Sequence, residues 1–491
     1  MTRVGIYDMG RTRYPRSAPY HPSHKFPEYP FAELQKGERN DVYNGVRELL
    51  HSLKYDIGNF GSVGWNPLKW LIKPGMTVII KPNFVLDRHR GGKSIYGIIT
   101  HPAVIRAVSD YCWIALAGKG KIIIADAPQY DCNFTNLIKV TGLDDVCNFY
   151  RKYPGPRVSY LNLQNYWSKS RHFSSFMIPL RGDPKGSVLC DLKEDSALWG
   201  IENKNFYGAF YDRHETISHH TEGRNIYELS RSVLEADVYI SLPKMKVHKK
   251  VGVTLNGKGL VGICTNKNSF VHYRLGTPSA KGDQFPDKLL SGKEKIVIHF
   301  ERWMYDKFLA KRQTVYDTVH RLIYGGLYLK LLARFGLNIP AEKRIWDAGN
   351  WPGNDTAWRG VADLFRIIYY YSSGGRELPR KVRKTFSIVD GIVGGENMGP
   401  LVPDPKRSGI LVGGESLLAV DVVSTRLMGF NPLKIKQFAY FLSGKKHLDI
   451  KSLDEIEIVT NNPKYKTCLK NNKNKYYDYK PYPSWKGALE I

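Results

Sequence analysis

The sequence predicts an α/β fold with a mostly parallel sheet built from βαβ units. Three observations predict it. Thr77-Val78-Ile79-Ile80-Lys81-Pro82-Asn83 is a β-branched run ending in a polar turn, as strands buried on both faces do. Residues Pro102–Leu116 have a helical pattern, stopped by Gly118. Lys121-Ile122-Ile123-Ile124-Ala125-Asp126 is a second apolar run ending on an acid. Strand, helix and strand in that order favour parallel pairing.

The remaining elements follow along the chain. Residues 1–40 are rich in Pro, Tyr, Arg and His and predict an irregular segment. Helix signals over Asp41–Leu53 make 1–75 an irregular and helical N-terminal region. Residues 76–264 carry the first part of the α/β core. Within it a short helix, Ser230–Ala236, precedes a strand, Asp237–Leu242, which runs straight into Pro243-Lys244-Met245-Lys246-Val247-His248. Residues 265–384 form a basic, aromatic-rich insertion, helical or irregular, with a long basic amphipathic stretch over Trp303–Phe335. The second part of the core, 385–460, has strands at Phe386–Asp390, Ser408–Val412 and Ile456–Thr460. A helix, Ser416–Met428, stops at Gly429. Residues 461–491 are a Lys-, Tyr- and Asn-rich tail that wraps the surface or stays partly mobile.

Composition narrows the function. A hydrophobic fraction of 42% supplies a substantial core and excludes general disorder. The 491 residues carry 73 Lys and Arg against 46 Asp and Glu, a net charge of +27. Such a balance suits nucleic acid, an anionic membrane surface, or a phosphorylated or acidic substrate. There is no zinc finger, basic leucine zipper or ribonucleoprotein aromatic motif, so nucleic acid is the weakest of these. The six cysteines show no C-x-x-C spacing, which gives no support to a metal–sulfur cluster and fits a reducing compartment. The N-terminus has no apolar signal core and the chain has no spanning apolar window. A cytoplasmic location is expected.

Polar groups recur at four predicted strand ends: Lys81 with Asn83, Asp126, Lys244 with Lys246 and His248, and Asp390. In an open parallel sheet, ligands bind beyond the carboxyl ends of the strands. Lys244, Lys246 and His248 alternate, which puts them on one face of an extended chain. Two ammonium groups and an imidazole repel one another unless an anion sits among them, so phosphate or carboxylate binding is the natural use. The same crowding lowers a lysine pKa and could make a general base. The competing reading is a solvated basic edge strand continued by Lys249 and Lys250.

Further candidates lie nearby. Thr254 and Lys258, beside Gly257 and Gly259, suit a loop that approaches an anion, although the Walker A spacing is absent. In Gly349–Arg359, two tryptophans with Asn354, Asp355 and Arg359 suggest a carbohydrate- or cofactor-contacting loop, or a helix start capped by Thr356. His219, His220 and His272 could take a metal with Asp126 or Asp390, but no fixed ligand spacing supports it. No metal is assigned and the cofactor is unknown. The apolar and basic residues of Val315–Phe335 either lie on an anionic bilayer or face the core.

Together the motifs resemble the domain of unknown function 362 family. They are Ile80-Lys81-Pro82-Asn83, Thr100-His101-Pro102, Ile124-Ala125-Asp126, Leu242–His248, Val253-Thr254-Leu255, Asp390–Glu396 with Gly399-Pro400, and Ala419-Val420-Asp421 through Met428-Gly429. The resemblance spans roughly residues 76–430. Cys264–Pro286, with His272-Tyr273-Arg274, and the Gly349–Arg359 loop resemble a subgroup associated with bacterial surface-polysaccharide gene clusters. Many members carry ferredoxin-type cysteines; this chain has none, so the resemblance implies no electron-transfer role. Asn256-Gly257-Lys258-Gly259 also stands where the family often reads Lys-Asn.

The leading expectation is an enzyme acting on a phosphorylated or other anionic substrate. A nucleotide-linked or lipid-linked sugar in envelope polysaccharide synthesis would fit. Lys81, Asn83, Lys244, Lys246, Thr254, Lys258, Arg274, Asn354, Asp355 and Arg359 would hold it. His248 would be an acid/base, with Asp126, Asp390 and Glu396 as catalytic or orienting carboxylates. The alternative is a non-catalytic binding or assembly protein, peripheral at the cytoplasmic membrane face. A nucleic-acid binder is a weaker alternative.

Overall fold

The apolar runs pair into one central sheet in the computed structural model, which describes residues 1–168, 177–208, 213–221, 223–304, 334, 339–443, 448–470 and 474–491. Its ten strands are β1 (Thr2–Asp8), β2 (Thr77–Pro82), β3 (Lys121–Asp126), β4 (Arg157–Asn162), β5 (Val238–Leu242), β6 (Lys244–His248), β7 (Gly252–Val253), β8 (Lys384–Glu396), β9 (Asp404–Gly414) and β10 (Ile456–Thr460). The order is β10-β1-β9-β8-β5-β2-β3-β4, with β6 beside β8 and β7 on β6. From β8 to β4 every neighbouring pair is parallel, and β6 is parallel to β8. The fold is thus α/β with a mostly parallel sheet.

Alternation along β2 explains why its run is apolar throughout. Val78 and Ile80 join one core layer and Ile79 joins the other. The first layer is covered by α1 (Asp41–Ser52) and α2 (Pro102–Leu116). Asn40 caps α1 by accepting from the Tyr43 amide, and His101 caps α2 through Nδ1, 3.0 Å from the Ala103 amide. Ala117 and Gly118, both at positive φ, end α2. On the opposite face lie α3 (Leu255–Gly259), α4 (Ala357–Tyr370) and α5 (Leu417–Leu427), the last capped by Ser416.

Four expectations change. Residues 2–8 are not irregular: β1 runs between β9 and β10, pairing antiparallel with the first and parallel with the second. Its Gly5 faces α1 too closely for a Cβ, which blurs the strand pattern of Val4 and Ile6. Asp390 is not a strand end, because β8 continues for 13 residues to Glu396 and pairs antiparallel with β9 across a register shift. The Lys/His segment is a separate strand, broken from β5 at Pro243. Thr356 makes no side-chain cap; Asn354 Oδ1 instead accepts from the Thr356 and Ala357 amides at 3.0 and 2.9 Å.

Within 265–384, α4 packs into the main core through Val361, Leu364 and Phe365. The amphipathic stretch Trp303–Phe335 lies almost wholly outside the described residues, which end on that side in the helix Gly292–Met304. Val315–Phe335 lies outside them except for Arg334. Among the described residues no helix is long and apolar enough to cross a membrane.

The placement of β1 has a measurable consequence. Ile6 is fully buried, so Ile6→Ala is expected to cost about 2–5 kcal/mol of unfolding free energy in urea titration. A loss below about 0.5 kcal/mol, the size of a surface substitution, would place β1 outside the cooperative core.

Candidate functional site

The strands β2 and β3 deliver Lys81 and Asp126 side by side. Their side chains form an ion pair, Nζ to Oδ1 2.8 Å, at 2% and 3% exposure. Asp126 Oδ2 also accepts from the Phe84 amide at 2.6 Å. Burial pushes the Asp126 carboxyl above its ordinary value against the pull of Lys81. Gly262 lies against this pair; a Cβ there would fall 2.0 Å from Asp126 Oδ1 and 2.4 Å from Lys81 Nζ. A glycine is therefore required, and its carbonyl accepts from the Ala127 amide at 2.7 Å.

Above this pair opens a cavity of about 560 Å³. Nine Lys and Arg side chains line it: Lys81, Arg90, Lys246, Lys249, Lys250, Lys258, Lys267, Arg302 and Arg344. Among the described residues only two carboxylates do, Asp126 and Asp347. Asp126 is taken by Lys81, Asp347 faces Arg302 at 3.2 Å, and Arg90 pairs with Asp131 at 2.6 Å. Among the described residues, Lys246, Lys249, Lys250, Lys258 and Lys267 have no carboxylate in ion-pair contact. Three of them donate to carbonyls: Lys246 to Ile98 at 2.7 Å, Lys267 to Ala127 at 2.8 Å and Val261 at 2.6 Å, and Lys250 to Ala348.

Carbonyls satisfy donors without cancelling charge, so burial dominates the titration of these groups. It holds Lys246 and Lys250 well below the ordinary lysine range, Lys267 at about 8 and Lys258 at about 7. The imidazoles of His248 and His272 are likewise driven well down, by burial and then by Lys258. Asn83 Oδ1 is buried at the cavity with no hydrogen-bond partner.

The loop that carries Lys258 is pinned from behind. Asp421 on α5 accepts from the Asn256 amide and its Nδ2, and from the Gly257 amide, each at 2.8 Å. Burial raises the Asp421 carboxyl to about 7. The entry to α3 is strained, with Leu255 at φ +45°. Gly257 packs under Phe365 and Val361, where a Cβ would come within 2.8 and 2.9 Å. The tail braces the opposite wall: Trp485 Nε1 donates to the Lys249 carbonyl at 2.6 Å.

The structure therefore brings Lys81, Asn83, Asp126, Lys246, His248, Thr254 and Lys258 to one cavity. It does not bring the other expected residues there. Lys244 and Asp390 form a closed pair at 2.9 Å, both fully buried, and Tyr14 bonds to each. The edge-strand reading of this segment fails with it, since Lys244 and Lys246 are fully buried and His248 is 6% exposed. Glu396 accepts from the Lys480 amide at 3.0 Å and pairs with Lys406. Arg274 pairs with Asp283 and Asp355, and Arg359 with Asp355. Asn354 spends its side chain on the α4 cap and on the His272 and Gly349 carbonyls. Only Asn350, with Asp347 and Ala348 before it, reaches the cavity from that region.

Sequence spacing does not single out Arg90, Lys267, His272 and Arg344 as anion ligands, because none lies in a phosphate-binding motif. Lys249 and Lys250 were read only as an edge. His220 is bonded at both ring nitrogens, to Asn225 and the Ser269 carbonyl. Among the described residues no group of three or more His, Cys, Asp or Glu side chains is placed to hold a metal ion.

Comparison with known proteins finds one match. A family described as Domain of unknown function (DUF362) matches residues 78–179 and 199–426, which include both halves of the sheet and most of the cavity wall. No curated protein and no solved structure matches the chain.

Two lysines of similar burial should behave oppositely when replaced. Lys244→Met leaves Asp390 charged and unpaired, and a loss of about 3–5 kcal/mol is expected in denaturant unfolding. Lys258→Met removes a buried amine that no carboxylate compensates, so stability should be unchanged or higher. Equal losses at the two positions would contradict the charge assignment.

Proposed function

This chain belongs to the DUF362 family, and on that premise we propose that it is an enzyme that binds a phosphorylated small molecule in the cavity. The observation that carries this reading is the group of five lysines, Lys246 and Lys258 buried and Lys249, Lys250 and Lys267 half-buried, with no carboxylate in ion-pair contact among the described residues, around a cavity of about 560 Å³. Buried cations are costly unless an opposite charge completes them, and a phosphate with three strong acceptor oxygens does so. The volume suits a sugar phosphate or a nucleotide-sized molecule. A role in envelope polysaccharide synthesis would be served by such a ligand.

The residues divide by what their surroundings allow. Lys246, Lys249, Lys250 and Lys267 hold the anion, and Arg90 and Arg344 extend the positive wall. The pair Lys81–Asp126 is neutral overall and forms the floor on which the reacting part of the ligand rests. His248 and His272 are neutral imidazoles near pH 7 because burial and neighbouring lysines oppose their protonation. They are suited to move protons beside an anion that itself makes protonation easier.

Binding of the anion should therefore take up protons. A phosphate beside Lys267 favours its ammonium form and raises a pKa that stands at about 8 without it. Near pH 8 this amine gains a proton on binding, so affinity should strengthen as pH falls from about 9 to about 7. Calorimetry with inorganic pyrophosphate in buffers of different ionisation enthalpy checks this. Saturable binding with net proton uptake is expected. Absence of binding at low salt would sink the proposal.

A further inference from the structure

Lys258 differs from Lys246, Lys250 and Lys267 in what holds its amine. Lys246, Lys250 and Lys267 donate to backbone carbonyls, and Lys249 stands on the wall braced by Trp485. Lys258 Nζ makes one polar contact, to His272 Nε2 at 3.4 Å, and lies 4.4 Å from the centre of the Phe270 ring. Among the described residues no carbonyl or carboxylate oxygen is bonded to it. A ring face gives a cation less than the desolvation of an ammonium costs. The amine therefore has a free lone pair near neutral pH, and burial holds it at about 7. Its position is fixed, since Asp421 clamps the two residues before it. Phosphate ligation gives no use to a buried amine that no oxygen holds and that faces an imidazole. A nucleophile does.

We propose that the substrate is a phosphorylated aldehyde or ketone, and that Lys258 forms an imine with its carbonyl carbon. This rests on the phosphate reading above. The Nζ lone pair attacks the carbonyl carbon and forms a C–N bond, while the C=O π pair moves to oxygen. The nitrogen sheds one proton, which passes through His272 Nε2 to that oxygen and gives a carbinolamine. The hydroxyl then leaves as water with the second nitrogen proton, and the C=N bond forms. One amine and one carbonyl thus give one imine and one water, with no oxidant or reductant. The surrounding lysines hold the phosphate, while burial, and then the charge of Lys267, disfavours protonation of Lys258 before the carbonyl arrives.

Pyridoxal 5′-phosphate, which carries both an aldehyde and a phosphate, serves as the probe. The full-length protein is incubated with it near pH 7.5, reduced with sodium borohydride, digested and mapped by mass spectrometry. The expected result is a dominant reduced adduct on Lys258. Excess inorganic phosphate should suppress it, and pyridoxal without the phosphate should label about tenfold less. Labelling of Lys249, Lys250 or Lys267 in its place overturns the assignment of Lys258 while leaving phosphate binding intact. So does reversible, phosphate-competed binding with no trapped adduct. Equal labelling by pyridoxal and its phosphate, with no competition, overturns the phosphate reading and with it the substrate class.

Discussion

The strand Lys244–His248 can lie inside the protein only because its first charge is cancelled there. Lys244 and Asp390 meet at 2.9 Å with no exposure to solvent. The pair is completed by Tyr14 from the N-terminal segment, and by the His101 amide at the start of α2, 2.9 Å from Asp390. Breaking such a pair leaves a buried charge, so four distant parts of the chain are held to one geometry. The next residues along the strand then have nowhere to go but the cavity. Lys246 turns to two carbonyls and His248 reaches the ligand space.

Beyond that pair the electrostatic design changes. The cavity wall replaces carboxylates with carbonyl oxygens, which accept hydrogen bonds but leave net charge. A carboxylate in their place would fill the site with an internal salt bridge and block an anion. The cost appears in the depressed pKa values of Lys246, Lys250, Lys258 and Lys267. It is tolerated because the surrounding frame is rigid. Gly262 allows the floor to close against its loop, Asp421 clamps the Lys258 loop, and the tail holds the Lys249 carbonyl. These supports come from both halves of the sheet and from the last residues of the chain.

The family motifs acquire separate physical meanings in this arrangement. Thr100-His101-Pro102 is structural. Thr100 bonds the Leu242 carbonyl at 2.6 Å and accepts from the Asn83 amide, tying β2 to β5, while His101 caps α2. Asp421 belongs to the same supporting set. Lys81 and Asp126 form a neutral floor, whereas Lys246, His248, Thr254 and Lys258 line the cavity wall. A motif shared within a family thus mixes residues that build the site with residues that line it, and only burial and partners separate them.

The sequence alone determined the parallel core, the helices at Pro102–Leu116 and Ser416–Met428, and the polar residues that end β2 and β3. These signals are local: apolar periodicity, caps and stop residues depend on neighbours a few positions away. It also marked Lys246, His248, Thr254 and Lys258, because alternation and glycine spacing are local too. Tertiary structure decided the rest. That Asp390 neutralises Lys244, away from the cavity, depends on the register of β6 against β8, which sets the two residues opposite each other and which no spacing reveals. That Arg90, Lys267 and Arg344 share one wall depends on segments far apart in the chain. That Asn354, Asp355 and Arg359 bond among their own neighbours, away from the cavity, follows from the helix they cap. Residue type and local pattern show which groups can carry charge. Which charges are cancelled, and which are left for a ligand, is fixed only when the partners are brought together.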